Sequence, residues 1–240
     1  SLISGLDEPI DLPSGAWVPE DGHSTEPELT MRAALRTSSN RAAVRMIETI
    51  GIPAAISNAQ KLGIGSLPEV PSLALGSGEV TLMDLTSAYG AFANAGVLHH
   101  PVLVRRVEDA TGQVLYAAEP HAEQAVTPQT AFLMATMLAD VINSGTAWKA
   151  RQLGFRLPAG GKTGTTNDYH DAWFVGFTPS LVSGVWVGHD TPQPILPGSA
   201  YAGDVAVPMW AGFMKAATAD AKAAWIATPK DIVTVSVCRL

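Results

Sequence analysis

One stretch limits this chain more than any other. Gly161-Lys162-Thr163-Gly164-Thr165-Thr166-Asn167-Asp168 runs almost directly into Asp171-Ala172-Trp173-Phe174-Val175-Gly176-Phe177. The second segment is short, apolar and rich in β-branched and aromatic residues, the pattern of a buried strand. The first mixes a lysine, hydroxyls and glycines. Set beside a buried strand, it presents a cation and backbone N–H groups along one edge of a sheet. Leu181–Val187 reads as a third strand, reached through Thr178-Pro179-Ser180, and the first of the three spans Leu157–Thr165.

Upstream the periodicity is helical. Leu29, Ala33, Ala34 and Leu35 form a short stripe that stops near Thr37-Ser38-Ser39, and Val44, Ile47 and Ile50 mark a second helix from Arg41. Ser38-Ser39-Asn40 therefore falls at a helix–helix junction, where a hydroxyl and an amide can point into a cleft. Further helices are predicted over Pro53–Leu62, Thr81–Ala95, Thr127–Ile142 and Val205–Ala219. Val102–Glu108 and Gln113–Tyr116 read as a hairpin around Asp109-Ala110-Thr111-Gly112. Residues 5–24 read as an extended loop and Ile232–Cys238 as a final strand. The expected architecture is α+β. Residues 25–156 are mainly helical with a hairpin near 102–116, and residues 157–240 form a sheet with a packed C-terminal helix.

Composition narrows the function classes. Charged residues are 15% of the 240, below the roughly 25% usual for soluble domains. That suits a large core, or surfaces covered in the intact protein. A net charge of −7 without a basic stripe offers no electrostatic footprint for nucleic acid. The six histidines show no metal-ligand spacing, no glycine-rich phosphate loop is present, and His99-His100 before Pro101 reads as a surface turn. The single cysteine, Cys238, cannot make an internal disulfide. No apolar run approaches eighteen residues. Ser1-Leu2-Ile3-Ser4-Gly5 lacks both a signal-peptide pattern and an initiating Met, so a fragment of a longer protein is expected.

The ordered motifs closely resemble the transpeptidase domain of class A, bifunctional penicillin-binding proteins. Lys162-Thr163-Gly164 and Ser38-Ser39-Asn40 match two of the three signatures of serine β-lactamases and penicillin-binding proteins. Leu29–Asn40 looks like the family's segment around Ser-x-Asn. Trp17-Val18-Pro19-Glu20-Asp21 is similar to its aromatic-x-Pro-x-Asn loop, and Leu75–Val97 to its central helix. Gly161–Gly176 is close to the family pattern at nearly every position, and Gly188-His189-Asp190 resembles its continuation. The third signature, Ser-x-x-Lys, carries the nucleophile and is absent: no serine here has lysine three positions on. Thr146-Ala147-Trp148-Lys149 imitates it, but in the wrong order and within what looks like the family's Gly-Thr-x-x-x-Ala loop. It is rejected as a nucleophile.

The resemblance implies a partial serine β-lactamase/penicillin-binding-protein fold and a set of roles. Ser38 would relay a proton, Asn40 would hold the substrate's peptide carbonyl and the cleft lysine, and Lys162 would supply positive potential. Thr163 and Thr165 would bind the substrate carboxylate, with the Thr165 N–H as half of the oxyanion hole. Gly164 would let the backbone approach the acyl group. Implied partners are peptidoglycan stem peptides ending in D-Ala-D-Ala, β-lactams, and an upstream segment carrying Ser-x-x-Lys. No cofactor or metal is implied. The implied location is extracytoplasmic, with a membrane anchor upstream. The chain alone is expected to be inactive.

Blander and competing readings stand beside these. Ser38-Ser39-Asn40 also suits a plain helix cap, and Lys162 an exposed strand edge. Trp173, Phe174, Trp186 and Trp210 read as core aromatics, Asp84 and Glu79 as helix-start residues, and His170 and Asp171 as parts of a structural loop. A D,D-carboxypeptidase differs only in the acyl acceptor. A non-catalytic homologue has no need to keep Lys162, Ser38 and Asn40 together. A class A β-lactamase is disfavoured because Ser38-Ser39-Asn40 is not Ser-Asp-Asn.

Overall fold

The computed structural model describes residues 1–12, 15–22, 26–195 and 201–235. In chain order the strands and helices are β1 (Leu2–Ile3), β2 (Ile10–Leu12), β3 (Gly15–Trp17), β4 (Leu29–Thr30), α1 (Met31–Thr37), α2 (Asn40–Ile50) and α3 (Ile52–Lys61). Then follow α4 (Leu82–Ala93), β5 (Val97–His99), β6 (Arg106–Glu108), β7 (Val114–Ala117), β8 (Ala122–Gln124) and α5 (Pro128–Ser144). Last come α6 (Lys149–Gln152), β9 (Gly160–Thr165), β10 (Ala172–Thr178), β11 (Leu181–Val187) and α7 (Ala202–Ala217).

The scaffold is an antiparallel sheet in the order β11-β10-β9, with β9 at one edge. Its register sets Val175 opposite Lys162, Phe174 opposite Thr163 and Trp173 opposite Gly164. Because a strand alternates faces, Ala172, Phe174 and Gly176 turn to one side, where Phe174 meets Trp210 of α7 edge-on at 5.0 Å. Phe177 turns to the other, against Leu138 of α5 with Tyr89 and Phe92 of α4 at its margin. The sheet is thus covered on both faces, which is why β10 reads as a continuous apolar run. Gly176 is required: a Cβ there would lie 2.8 Å from Trp210, whose indole N–H donates to the Gly176 carbonyl.

Helix starts follow ordinary capping chemistry. Thr30, Ser39, Thr81 and Thr127 each accept the N–H three residues on, and Pro128 occupies the first turn of α5. Asp84 belongs to the α4 cap, receiving the Thr81 hydroxyl at 2.7 Å.

Several expectations are corrected. The loop expected over 5–24 contains a strand pair, β2 with β3, and is flanked by another, β1 with β4. The hairpin's first strand starts at Arg106, and His99 ends β5, paired with β8, so it is not a turn residue. Trp186 is not core: it is 37% exposed, spending its N–H on Asp171. Residues 232–235 form no strand. The tail instead crosses α4 and α5, stacking Trp225 on Phe177 at 6.3 Å and accepting Gln129 at the Lys230 carbonyl. The remainder of that predicted strand, with Cys238, lies outside the described residues.

Candidate active site

Two walls make the site. The first is the α1–α2 junction. Ser38 ends α1 in the left-handed conformation (φ 60°, ψ 44°), a state that disfavours non-glycine residues. The Ser39 N–H returns to the Ala34 carbonyl at 2.9 Å, and the Ser39 side chain then caps α2 by accepting the Ala42 N–H. Two adjacent hydroxyls therefore face opposite ways. Ser39 is buried in the cap, and Ser38 faces the cleft.

The second wall is β9. Lys162 donates to Ser38 Oγ at 2.7 Å and to the Thr163 carbonyl at 2.9 Å. The partners Ser38 and Lys162 are 124 residues apart in sequence. Among the described residues no carboxylate forms an ion pair with Lys162. Desolvation pulls its pKa down from 10.5 to about 8. A half-buried lysine with this value is a cation near neutrality that titrates within reach of physiological pH.

Thr163 and Thr165 lie on the opposite face of β9, as their register requires. The Thr163 hydroxyl shares a 2.6 Å hydrogen bond with Thr146, and Thr165 Oγ1 accepts the Ala202 N–H at the start of α7. A Cβ at Gly164 would press on Trp173 at 3.3 Å, so its lack of a side chain serves strand packing as well as access. Asn40 donates its side-chain amide to the Glu20 carbonyl at 2.8 Å. An amide nitrogen carries two N–H groups, so one donor remains for a ligand.

Between the walls lies a cavity of about 1640 Å³. Part of its lining is polar, with Ser38, Asn40, Lys162, Thr163 and Thr165, and part is apolar, with Met31, Leu35, Met46, Tyr89, Met134 and Met137. Burial pushes the Tyr89 phenol up to about 12, so it stays neutral in that wall.

The structure thus brings Ser38 and Lys162 into direct contact and sets Asn40, Thr163, Gly164 and Thr165 around the same cavity. Thr146-x-x-Lys149 is divided between other jobs: Thr146 supports Thr163, and Lys149 pairs with Asp204 at 2.7 Å. Asp171 is structural, holding Thr166 and Trp186. Sequence reasoning missed the methionine and tyrosine wall, whose only sequence signal is ordinary helical periodicity. It also missed Tyr169 and Tyr201, whose hydroxyls meet at 3.3 Å beside the cavity.

Comparison with known proteins decides the family. The profile described as "Transpeptidase: Penicillin binding protein transpeptidase domain" matches residues 7–215. The chain belongs to the penicillin-binding protein transpeptidase family. Among its relatives, penicillin-binding protein 1A of Aquifex aeolicus is 38% identical over 222 residues, covering 91% of this chain and 30% of that protein. The Neisseria gonorrhoeae protein of the same name is 35% identical over 242 residues, covering 95% and 30%. Penicillin-binding protein 1A from Haemophilus influenzae superposes with a TM-score of 0.87 at 27% identity, covering 97% of this chain and 41% of that one. PonA1 from Mycobacterium tuberculosis, in complex with penicillin V, shares the fold at a TM-score of 0.79 and 24% identity, covering 97% and 66%. The chain spans about 30% of the length of the curated relatives it matches.

Proposed function

We propose that this chain is the relay-and-oxyanion part of a peptidoglycan D,D-transpeptidase that cross-links stem peptides ending in D-Ala-D-Ala and is acylated by β-lactams. The observation that carries this reading is the 2.7 Å contact between Lys162 and Ser38 within one cavity. A serine supplied by an upstream Ser-x-x-Lys segment attacks the penultimate D-Ala carbonyl while the lysine of that segment takes its proton. The oxyanion is held by the Thr165 N–H and the serine's own N–H. As the peptide C–N bond breaks, Ser38 Oγ passes a proton from that lysine to the departing D-Ala nitrogen. Lys162 keeps the Ser38 hydroxyl oriented and attracts the substrate carboxylate, which Thr163 and Thr165 bind. Asn40 donates to the peptide carbonyl. The acyl group then passes to the amine of a second stem peptide.

The cavity of about 1640 Å³ exceeds the roughly 300–1,000 Å³ of small-molecule pockets, which leaves room for the Ser-x-x-Lys segment beside the substrate. Residues 1–240 are then one part of a domain completed by that segment, with a mainly helical portion over 25–156 and a sheet portion over 157–240. Among the described residues no helix is long and apolar enough to cross a membrane. An anchor upstream, with the site on the outer face, fits the family and the 30% coverage.

The test is peptide mapping of the full-length protein after incubation with a labelled penicillin. An adduct on a serine followed three residues later by lysine is the expected result. No adduct from a folded full-length protein would overturn the transpeptidase reading in favour of a non-catalytic homologue, and an adduct on the isolated chain would overturn its predicted inactivity.

A further inference from the structure

We infer that Asp21 is a positioning residue for Ser38, an inference that rests on the function proposed above. Asp21 acts through Ser39, whose hydroxyl donates to Asp21 Oδ2 at 2.5 Å, and through the Arg41 N–H, which donates to the same oxygen at 3.3 Å.

Three observations give this contact its consequence. Ser39 is only 4% exposed, so its hydroxyl would be stranded without an acceptor. The same hydroxyl accepts the Ala42 N–H, which fixes the rotor in both directions. Ser38, one residue earlier, holds a left-handed backbone that a serine leaves unless its neighbours enforce it. The Ser39 N–H on the Ala34 carbonyl pins one end of that turn, and Asp21 pins the other.

The carboxylate does not work alone. The backbone beside it grips the same helix start, with the Pro19 carbonyl accepting Arg41 Nε at 3.1 Å and the Glu20 carbonyl accepting Asn40 at 2.8 Å. The segment from Pro19 to Asp21 is therefore a clamp over the Ser-x-Asn turn. Its negative charge sits at a helix N-terminus, where it is favoured. The resembling family loop ends in Asn at this position. A carboxamide oxygen can accept the same two donors, and the aspartate makes those bonds charge-assisted.

The test is rapid-mixing acylation of the full-length protein by a fluorescent penicillin. It resolves the acylation rate constant, the pre-covalent dissociation constant and the burst amplitude. Asp21→Ala is expected to lower the rate constant about tenfold. The dissociation constant and amplitude should hold, because folding and binding are intact while the relay is misplaced. Asp21→Asn is expected to recover the rate to within about threefold of wild type. The inference is overturned by an Asp21→Ala rate within about twofold of wild type, or by Asp21→Asn being as slow as Asp21→Ala. Should the alanine variant lose amplitude through misfolding, Ser39→Ala probes the same link. A fall of about threefold or more supports it, and an unchanged rate overturns it. Failure of the functional reading looks different: folded wild-type protein gives no burst at all, and this inference falls with it.

Discussion

The two walls of the cleft are held in contrasting ways. β9 is one strand of a sheet packed on both faces, and its register with β10 places every side chain of the Lys162–Thr165 run. The α1–α2 junction has a smaller apolar cluster behind it, Ala34 and Ala42 against Leu6 with Ile3 and Leu29 at the margin. The turn itself is a single left-handed residue at the end of α1, held by its caps and by a clamp from Pro19–Asp21. A functional group on the sheet is therefore fixed by packing, and one at the junction by a few hydrogen bonds. Damage to the packing behind the first wall should appear in stability, and loss of the hydrogen bonds that shape the second in rate.

The sharpest break of that comparison is Lys162→Met in the full-length protein. Penicillin acylation should fall about 10³-fold. The melting temperature should hold or rise, because a desolvated ammonium is replaced by an apolar chain of similar length. Stopped-flow acylation and thermal melts of the same sample separate the two effects.

Trp210→Ala attacks the sheet wall from its far side. Trp210 is fully buried against Phe155 and Phe174, so the loss should be about 3–5 kcal/mol of stability by denaturant titration. The surviving folded fraction should acylate at the wild-type rate constant.

Ser38→Gly reverses that pattern. Glycine accepts φ 60° without penalty, but the change also removes an acceptor of the desolvated Lys162 ammonium, so stability should hold within about 1 kcal/mol in the same titration. Loss of the hydroxyl should lower acylation about 10²-fold. A variant both less stable and fully active would show that Ser38 only shapes the turn.

The smallest effect is in pH. Lys162 is a cation below its folded pKa of about 8 and neutral above it. Pre-covalent affinity for a carboxylate-bearing β-lactam should weaken several-fold as pH rises through 8, measured by competition at each pH. Stability moves the opposite way. The unfolded chain keeps its lysine proton up to about 10.5, so between about 8 and 10.5 it binds more protons than the folded chain and stability rises with pH. Lys162→Met should flatten both trends.

Much of the scaffold was legible because it rests on local signals. β10 and β11 follow from apolar runs bounded by a Thr-Pro-Ser turn, and α4 from Thr81 followed by helical spacing. The tail at 232–235 misled because Ile232, Val233 and Val235 have strand character but, among the described residues, no strand paired with them. Trp186 misled because an indole N–H can prefer a carboxylate at the surface to the core.

The candidate chemistry lies in the linear chain: a cation, hydroxyls and glycines before a buried strand, and a Ser-Ser-Asn turn between two helices. Those are local patterns of residue type, readable one segment at a time. That Lys162 meets Ser38 and not Ser39, that Thr146 supports Thr163, and that Asp21 closes over the turn emerges from the fold alone. Such pairings depend on strand register, cap direction and chain reversal across 124 residues, and no local pattern encodes a distance of that kind.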